Sequence, residues 1–271
     1  MMYKLMAVDL DGTLLTDDKR IDAPTAEAVG QALERGFHFA VATGRAWPGV
    51  RRYAKEIHLT DPVVTMNGAM IVNPVTEEIL YSQPISHDDA LRLLNMGYER
   101  GVTQVIWCRN RLYGTLINDR MRDYSTRFGG GSEILPADDF EKLASDGISK
   151  VLWCDEPEKV NEYVRMLNSS TFESLSACTS EPYFAEIFNA KVSKADSLRI
   201  LCSMLGISTD EMIAVGDGCN DIPMIRLAGL GVAMGNASQT VKDEASEIAL
   251  TNGQNAIGVL LQKYVIGGQN G

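Results

Sequence analysis

Three things are scarce in this chain, and each scarcity excludes something. Positive charge is the first. The 271 residues carry 25 Lys and Arg against 36 Asp and Glu, a formal charge of −11. Nucleic-acid surfaces and anionic membranes both call for basic patches, so neither is expected as a partner. Cysteine is the second. Cys108, Cys154, Cys178, Cys202 and Cys219 are odd in number and include no Cys-x-x-Cys pair. That argues against a disulfide framework or a zinc site and for reduced thiols. Long apolar runs are the third. No stretch approaches the ~20 apolar residues of a membrane span. Before Asp9 the N-terminus offers only residues 5–8 as an apolar run, which is too short for a signal peptide. The expectation is a soluble cytoplasmic protein. None of this excludes a small phosphorylated partner, which needs only a few local donors and a cation.

What is present is an alternation of strand and helix. Residues 3–9 read as an apolar strand ending in a carboxylate, and 24–35 as a helix with proline in its first turn and Gly36 as its stop. Strand 38–42, helix 48–57 and strand 63–66 follow. Strands joined by helices imply a parallel, doubly wound sheet with the strand C-termini along one edge. The pattern then changes. A hairpin is expected at 69–73 and 78–82. A helix opening at Ser86 resembles a capping box. The strands 103–108, 111–116 and 150–154, a helix at 158–167 and the strands 173–177 and 183–188 complete a mixed module. Alternation returns near Val192. Leu198, Leu201, Cys202 and Leu205 mark an amphipathic helix. Strand 212–215, helix 221–228, strand 231–234, helix 238–245, strand 247–250 and helix 256–265 follow, and 267–271 reads as a loose tail. The fold class expected is α/β, a doubly wound parallel-sheet core interrupted by an inserted α+β module. The core takes residues 1–83 and 189–271, and the module 84–188.

Four short motifs could carry chemistry. Asp9-Leu10-Asp11-Gly12-Thr13 ends the first strand. Residues two apart share a face of an extended chain, so Asp9 and Asp11 project together, and Gly12 permits a sharp turn. A loop with Asx-turn carboxylates is the simpler alternative. Gly216-Asp217-Gly218-Cys219-Asn220-Asp221 ends another strand. By itself it is a turn signal as readily as a site, but a doubly wound sheet can set it beside the first motif. Like charges ~4 Å apart at an effective dielectric of ~20 repel by about 4 kcal/mol. A cluster of Asp9, Asp11, Asp217 and Asp221 therefore needs protons or a divalent cation, and all-oxygen ligands favour Mg²⁺. Thr43-Gly44-Arg45 stands between a strand and a helix, where a hydroxyl and backbone N–H groups could hold phosphate oxygens or merely shape the turn. Lys194 opens a helix against the macrodipole. This hints at another task, though a solvated lysine would also serve.

In this order the four motifs resemble those of the haloacid dehalogenase superfamily of phosphohydrolases. The roughly 150 residues between Thr43 and Lys194 match the type-two cap position, and Asn67-Gly68-Ala69 and Glu186-Ile187 fit the Cof-type subfamily. Cys219 stands where the family often has Glu. The resemblance implies that Asp9 is the nucleophile, forming an aspartyl-phosphate, and that Asp11 is the general acid and base. It implies Mg²⁺ held by Asp9, the Asp11 carbonyl and Asp217, with Asp221 orienting a metal-bound water. Leu10, Thr43, Gly44, Lys194 and Asn220 would bind phosphate oxygens, and Arg45 and Asn67 could touch the substrate edge. The inserted module would act as a lid. The expected activity is a Mg²⁺-dependent phosphatase acting on small phosphorylated metabolites, as a monomer or small homo-oligomer. A phosphotransferase or mutase on the same scaffold is the alternative, and a receiver-like signalling module a more remote one. His38, His58 and His87 match no family motif and read as structural or surface residues. Trp107, Tyr113 and Trp153 read as strand residues of the module, and Cys219 as a small buried filler, with an oxidation-sensitive thiol in the metal loop as the alternative.

Overall fold

Strand β1 (Leu5–Val8) has no solvent-exposed residue. A strand apolar on both faces has to lie in the middle of a covered parallel sheet, and it does. In a computed structural model describing residues 3–267 the chain runs α1 (Ala23–Glu34), β2 (His38–Val41), α2 (Trp47–Glu56), β3 (Val63–Thr65), β4 (Met70–Val72), β5 (Ile79–Ser82), α3 (His87–Glu99), β6 (Thr103–Cys108), β7 (Arg111–Gly114), α4 (Asp119–Phe128), β8 (Ile134–Pro136), α5 (Phe140–Asp146), β9 (Ile148–Cys154), α6 (Pro157–Met166), β10 (Leu175–Glu181), β11 (Phe184–Asn189), α7 (Lys194–Leu205), β12 (Met212–Gly216), α8 (Ile222–Leu227), β13 (Leu230–Ala233), α9 (Gln239–Lys242), β14 (Glu247–Ile248) and α10 (Ala256–Leu261). No helix among the described residues is long and apolar enough to cross a membrane.

Two compact units emerge. The first comprises Met1–Gly44, Arg51–Tyr81 and Ser193–Gly271; the second comprises Arg45–Val50 and Ser82–Val192. The first unit is built on a parallel sheet in the order β14-β13-β12-β1-β2. Met6 pairs with Ile213 on one side and Phe39 on the other. Leu5, Ala7, Ala40, Leu198, Leu201 and Met212 share one apolar cluster beneath α7. Because β1, β2 and β12 run in the same direction, the residues that follow them emerge at one edge. The bonds from Asp9 N to the Val215 carbonyl and from Ala42 N to the Val8 carbonyl hold that edge level, at 2.9 and 2.8 Å.

The second unit carries a six-stranded sheet, β10-β11-β9-β6-β7-β8, antiparallel except for β7 beside β8. Ile106, Val151 and Trp153 pack with Leu93, Leu143 and Val160 from α3, α5 and α6. Trp107 alternates to the other face and donates its indole N–H to the Tyr124 hydroxyl of α4 at 3.0 Å. Trp107 and Trp153 are thus buried core residues. On β9 and β11, Lys150 and Glu186 form an ion pair of 3.2 Å with side chains only 6% and 8% exposed.

Several sequence expectations need correction. β3 is not a full strand of the parallel sheet. It pairs antiparallel with β4 and touches β2 through one bridge, Ala42 to Val64, because a turn at Met66–Gly68 folds the chain back at once. The short elements β8 and α5 carry no clear periodicity and escape sequence reading. The helix expected at 238–245 is only the four residues of α9, and the closing helix becomes a wider turn after Leu261. Cys219 is exposed rather than a buried filler. The tail residues 268–271 lie outside the described residues.

Candidate active site

The site is assembled at the sheet edge of the first unit, from the ends of β1, β2 and β12 and the start of α7. Asp9 follows β1 directly and is 6% exposed. Ser193 caps α7 by accepting from Asp196 N at 3.1 Å, which makes Lys194 its first residue. A positive charge there opposes the helix dipole, yet the side chain is fully buried because two carboxylates receive it. Lys194 Nζ lies 2.5 Å from Asp9 Oδ1 and 2.6 Å from Asp221 Oδ1. The second oxygen of Asp221 accepts from Asp217 N and Gly218 N at 3.0 and 2.9 Å. Asp221 therefore holds both the lysine and the loop that carries Asp217.

Asp9, Asp217 and Asp221 each offer an oxygen, all within 4.8 Å of one another. One ammonium faces three carboxylates. Burial pushes Asp9 up from 3.8 to about 7, against the pull of Lys194 and with the help of the Asp221 charge. Burial and the same Asp221 charge also raise Asp217. Burial alone would depress Lys194, but Asp221 and Asp9 raise it above the ordinary lysine value. The ammonium is thus firmly charged, and the carboxylates still lack positive charge.

Two glycines allow this packing. Gly12 has φ +80°, and a Cβ there would overlap the Asp217 carboxylate. Gly68 has φ +107°, and a Cβ there would strike the Ser193 carbonyl. The Met66–Gly68 turn can thus press on the start of α7, where Ser197 Oγ donates to the Gly68 carbonyl at 2.5 Å. Within that turn Asn67 adopts φ 57°, a left-handed conformation that asparagine tolerates better than most residues. Its N–H donates to the Thr43 carbonyl at 2.9 Å. Its Oδ1 accepts from Asn220 Nδ2 at 3.0 Å and lies where a Gly44 Cβ would meet it. Thr43, Gly44, Asn67 and Asn220 are therefore neighbours.

A family model described as haloacid dehalogenase-like hydrolase matches residues 6–261. The chain belongs to this family. The hydrolase is 29% identical over 270 residues to the Bacillus subtilis protein named "Putative phosphatase YxeH", covering 98% of this chain and 99% of that one. It is 28% identical over 268 residues to YcsE of the same organism, named 5-amino-6-(5-phospho-D-ribitylamino)uracil phosphatase, with 97% and 96% of the two chains covered. Among solved structures, a haloacid dehalogenase-like hydrolase from Bacteroides thetaiotaomicron superposes with a TM-score of 0.87 at 28% identity, covering 96% of this chain and 99% of that one.

Not every residue singled out in the sequence joins the carboxylate cluster. The Asp11 side chain turns instead to Lys19, whose Nζ lies 2.8 Å from its Oδ1. Arg45 is buried, and its Nη1 donates to the Gly49 carbonyl at 3.4 Å. Leu10 is buried, and its carbonyl accepts from Leu15 N at 2.9 Å. Sequence reading of this hydrolase missed Asn236, which follows β13 at the same edge. Asn236 Nδ2 donates to the Gly12 carbonyl at 2.8 Å and reaches Asp217 Oδ2 at 3.5 Å. The signal was available: Gly235-Asn236 stands at a strand end, as Gly216-Asp217 does.

Proposed function

We propose that this hydrolase is a Mg²⁺-dependent phosphatase that cleaves phosphomonoesters of small metabolites, such as sugar phosphates or phosphorylated cofactors, through an aspartyl-phosphate on Asp9. The observation that carries this reading is the imbalance of one buried ammonium against three clustered carboxylates. Burial, against the pull of Lys194, pushes Asp9 up to about 7, so further positive charge beside it would favour the carboxylate form. An all-oxygen donor set suits Mg²⁺, so the residues fit the ion. Asp9, Asp217 and the Asp11 carbonyl would hold it. When bound, the ion supplies positive charge that lets a carboxylate meet a phosphate dianion. The name of the relative YcsE supports a small phosphorylated substrate.

The steps on the protein's own residues follow. An Asp9 oxygen attacks phosphorus, and the bond from phosphorus to the leaving oxygen breaks. Asp11 gives its proton to that oxygen. In the second step water attacks the same phosphorus while Asp11 takes its proton, and the bond to Asp9 breaks. Atoms balance as ester plus water giving alcohol plus phosphate, with Asp9 and Asp11 regenerated. One residue serves both steps because the conjugate base left by the first is the acceptor needed by the second. Lys194, Thr43, Asn220 and the Leu10 and Gly44 N–H groups would take the non-bridging phosphate oxygens, where negative charge is spread in the transition state. Asp221, with both oxygens engaged, keeps Lys194 and the Asp217 loop in register. The test is phosphate release from p-nitrophenyl phosphate and from a panel of phosphorylated metabolites. Release with Mg²⁺, loss of release in excess EDTA and inactivity of Asp9→Asn are expected. Full activity in EDTA would remove the metal from the reading, and turnover by Asp9→Asn would remove the nucleophile.

A further inference from the structure

We infer that Ser197 is a positioning residue for phosphate binding: through the Met66–Gly68 turn it holds Asn67 where Asn67 orients the Asn220 amide. The inference rests on the function proposed above, which gives Asn220 a phosphate oxygen. Ser197 lies in α7, three residues after Lys194, and is 2% exposed. A serine inside a helix commonly returns its hydroxyl to the carbonyl of the preceding turn. Ser197 does not. Its N–H donates to the Ser193 carbonyl at 3.3 Å, while its hydroxyl leaves the helix for the Gly68 carbonyl at 2.5 Å.

The turn it grips is one that the backbone resists. Met66, Asn67 and Gly68 follow one another with φ of 54°, 57° and 107°. Only the glycine takes a positive φ without steric cost. Asparagine tolerates it better than most residues, and for a bulky residue such as Met66 it is an outlier. Conformations of this kind persist where the surroundings over-determine them, and they gather at functional sites. Here the turn is held from two sides. Asn67 N donates to the Thr43 carbonyl at 2.9 Å, and Ser197 donates to the carbonyl of the next residue, Gly68. Gly68 also lies so close to the start of α7 that a Cβ on it would stand 2.1 Å from the Ser193 carbonyl. The hydroxyl keeps the turn seated in that contact.

What the seated turn delivers is the orientation of one amide. Asn67 Oδ1 accepts from Asn220 Nδ2 at 3.0 Å. Asn220 Oδ1 faces back into its own loop, where a Cβ on Gly218 would stand 2.4 Å from it. The two contacts set which way the amide faces, although Asn220 itself is exposed. Its nitrogen carries two hydrogens. One goes to Asn67, and the other serves the phosphate oxygen that the proposed function assigns to Asn220. A donor that holds the phosphoryl group in the ground state and the transition state alike contributes to binding more than to the chemical step.

The test uses inorganic phosphate as the probe, titrated by calorimetry into the full chain in the presence of Mg²⁺. Ser197→Ala loses one hydroxyl and gains helix propensity, so the variant folds. Its Kd for phosphate should rise about fivefold, the worth of one displaced hydrogen bond. KM for p-nitrophenyl phosphate should rise by a similar factor, with kcat within about twofold of wild type. Asn67→Gly keeps the left-handed turn, removes the amide and should weaken phosphate at least as much. Added to Asn67→Gly, Ser197→Ala should change Kd by less than about twofold, because effects that run through one residue do not add. An unchanged Kd in Ser197→Ala, an equal loss in both backgrounds, or a loss confined to kcat would overturn the role of Ser197 and leave the phosphatase reading intact. A wild-type protein that neither binds phosphate nor hydrolyses p-nitrophenyl phosphate would overturn both.

Discussion

Lys194 and Asp221 meet at 2.6 Å with side chains 0% and 1% exposed. The same ammonium reaches Asp9 at 2.5 Å, so a single cation ties the start of α7 to the ends of β1 and β12. Replacing it with Met would leave two carboxylates buried without that partner. Breaking a buried pair in this way costs about 3–5 kcal/mol. Lys194→Met should therefore lose stability of that order in urea unfolding with EDTA present, and its kcat should fall at least about a hundredfold.

The Asp9 carboxyl also predicts a pH dependence for the chelated protein. Its folded pKa, pushed up to about 7 first by burial, lies above its ordinary 3.8. Between these values the folded state holds a proton that the unfolded chain has released, so stability falls as pH rises. The fall begins near pH 4 and ends near pH 7. Lys194 stays protonated in both states throughout that window and does not offset it. Urea titrations in EDTA should show this decline in the wild type and a flatter profile in Asp9→Asn.

Asn236 is expected to tune metal affinity rather than chemistry. Its side chain bonds the Gly12 carbonyl and approaches Asp217, while its Oδ1 accepts from Asn252 N at 3.0 Å. Partners that orient metal ligands are worth about 10–100-fold in affinity. In Asn236→Ala the Mg²⁺ concentration giving half-maximal activity should rise by about tenfold, with kcat at saturating Mg²⁺ within a few-fold of wild type.

Gly12→Ala combines two penalties, a left-handed backbone and a methyl group set into the Asp217 carboxylate. The backbone strain alone costs on the order of 1–2 kcal/mol. Thermal unfolding should register that loss, and Mg²⁺-dependent turnover should fall with it because Asp217 has to move. A variant that binds and turns over like wild type would show that the loop relaxes freely.

In the second unit, Lys150 and Glu186 give a prediction independent of catalysis. Burial opposes the Lys150 charge, yet Glu186 raises its proton affinity above the ordinary value. Glu186→Ala should cost about 3–5 kcal/mol, whereas Lys150→Met combined with Glu186→Leu should cost far less, since removing both charges leaves neither stranded. Urea unfolding of both variants decides it.

Asp9 and Asp217 were legible in the sequence because each follows an apolar run short enough to be only a strand, and Lys194 because it opens a helix against the macrodipole. Order along the chain then stood in for position in space. Three things were not legible. Asp11 and Lys19 find one another through a turn whose shape depends on Tyr53 and Asn252, both distant in sequence. Asn236 sits in an ordinary Gly-Asn turn and gains meaning only beside Gly12. The Met66–Gly68 turn, which ends β3 and brings Asn67 to Asn220, depends on the close approach of Gly68 to Ser193, and no local periodicity reports that.

The pairing of β1 has a consequence for biosynthesis. Leu5 lies against His38 on one side and Met212 on the other. The first neighbour is available early in translation, and the second only after most of the chain has been made. Until then β1 presents an apolar, unpaired edge, the kind of surface that chaperones bind and that aggregates form around. The charges follow the same timetable, since Asp9 is made long before Lys194 and Asp221. The buried ion cluster can form only when the last of its members, Asp221, joins the sheet edge.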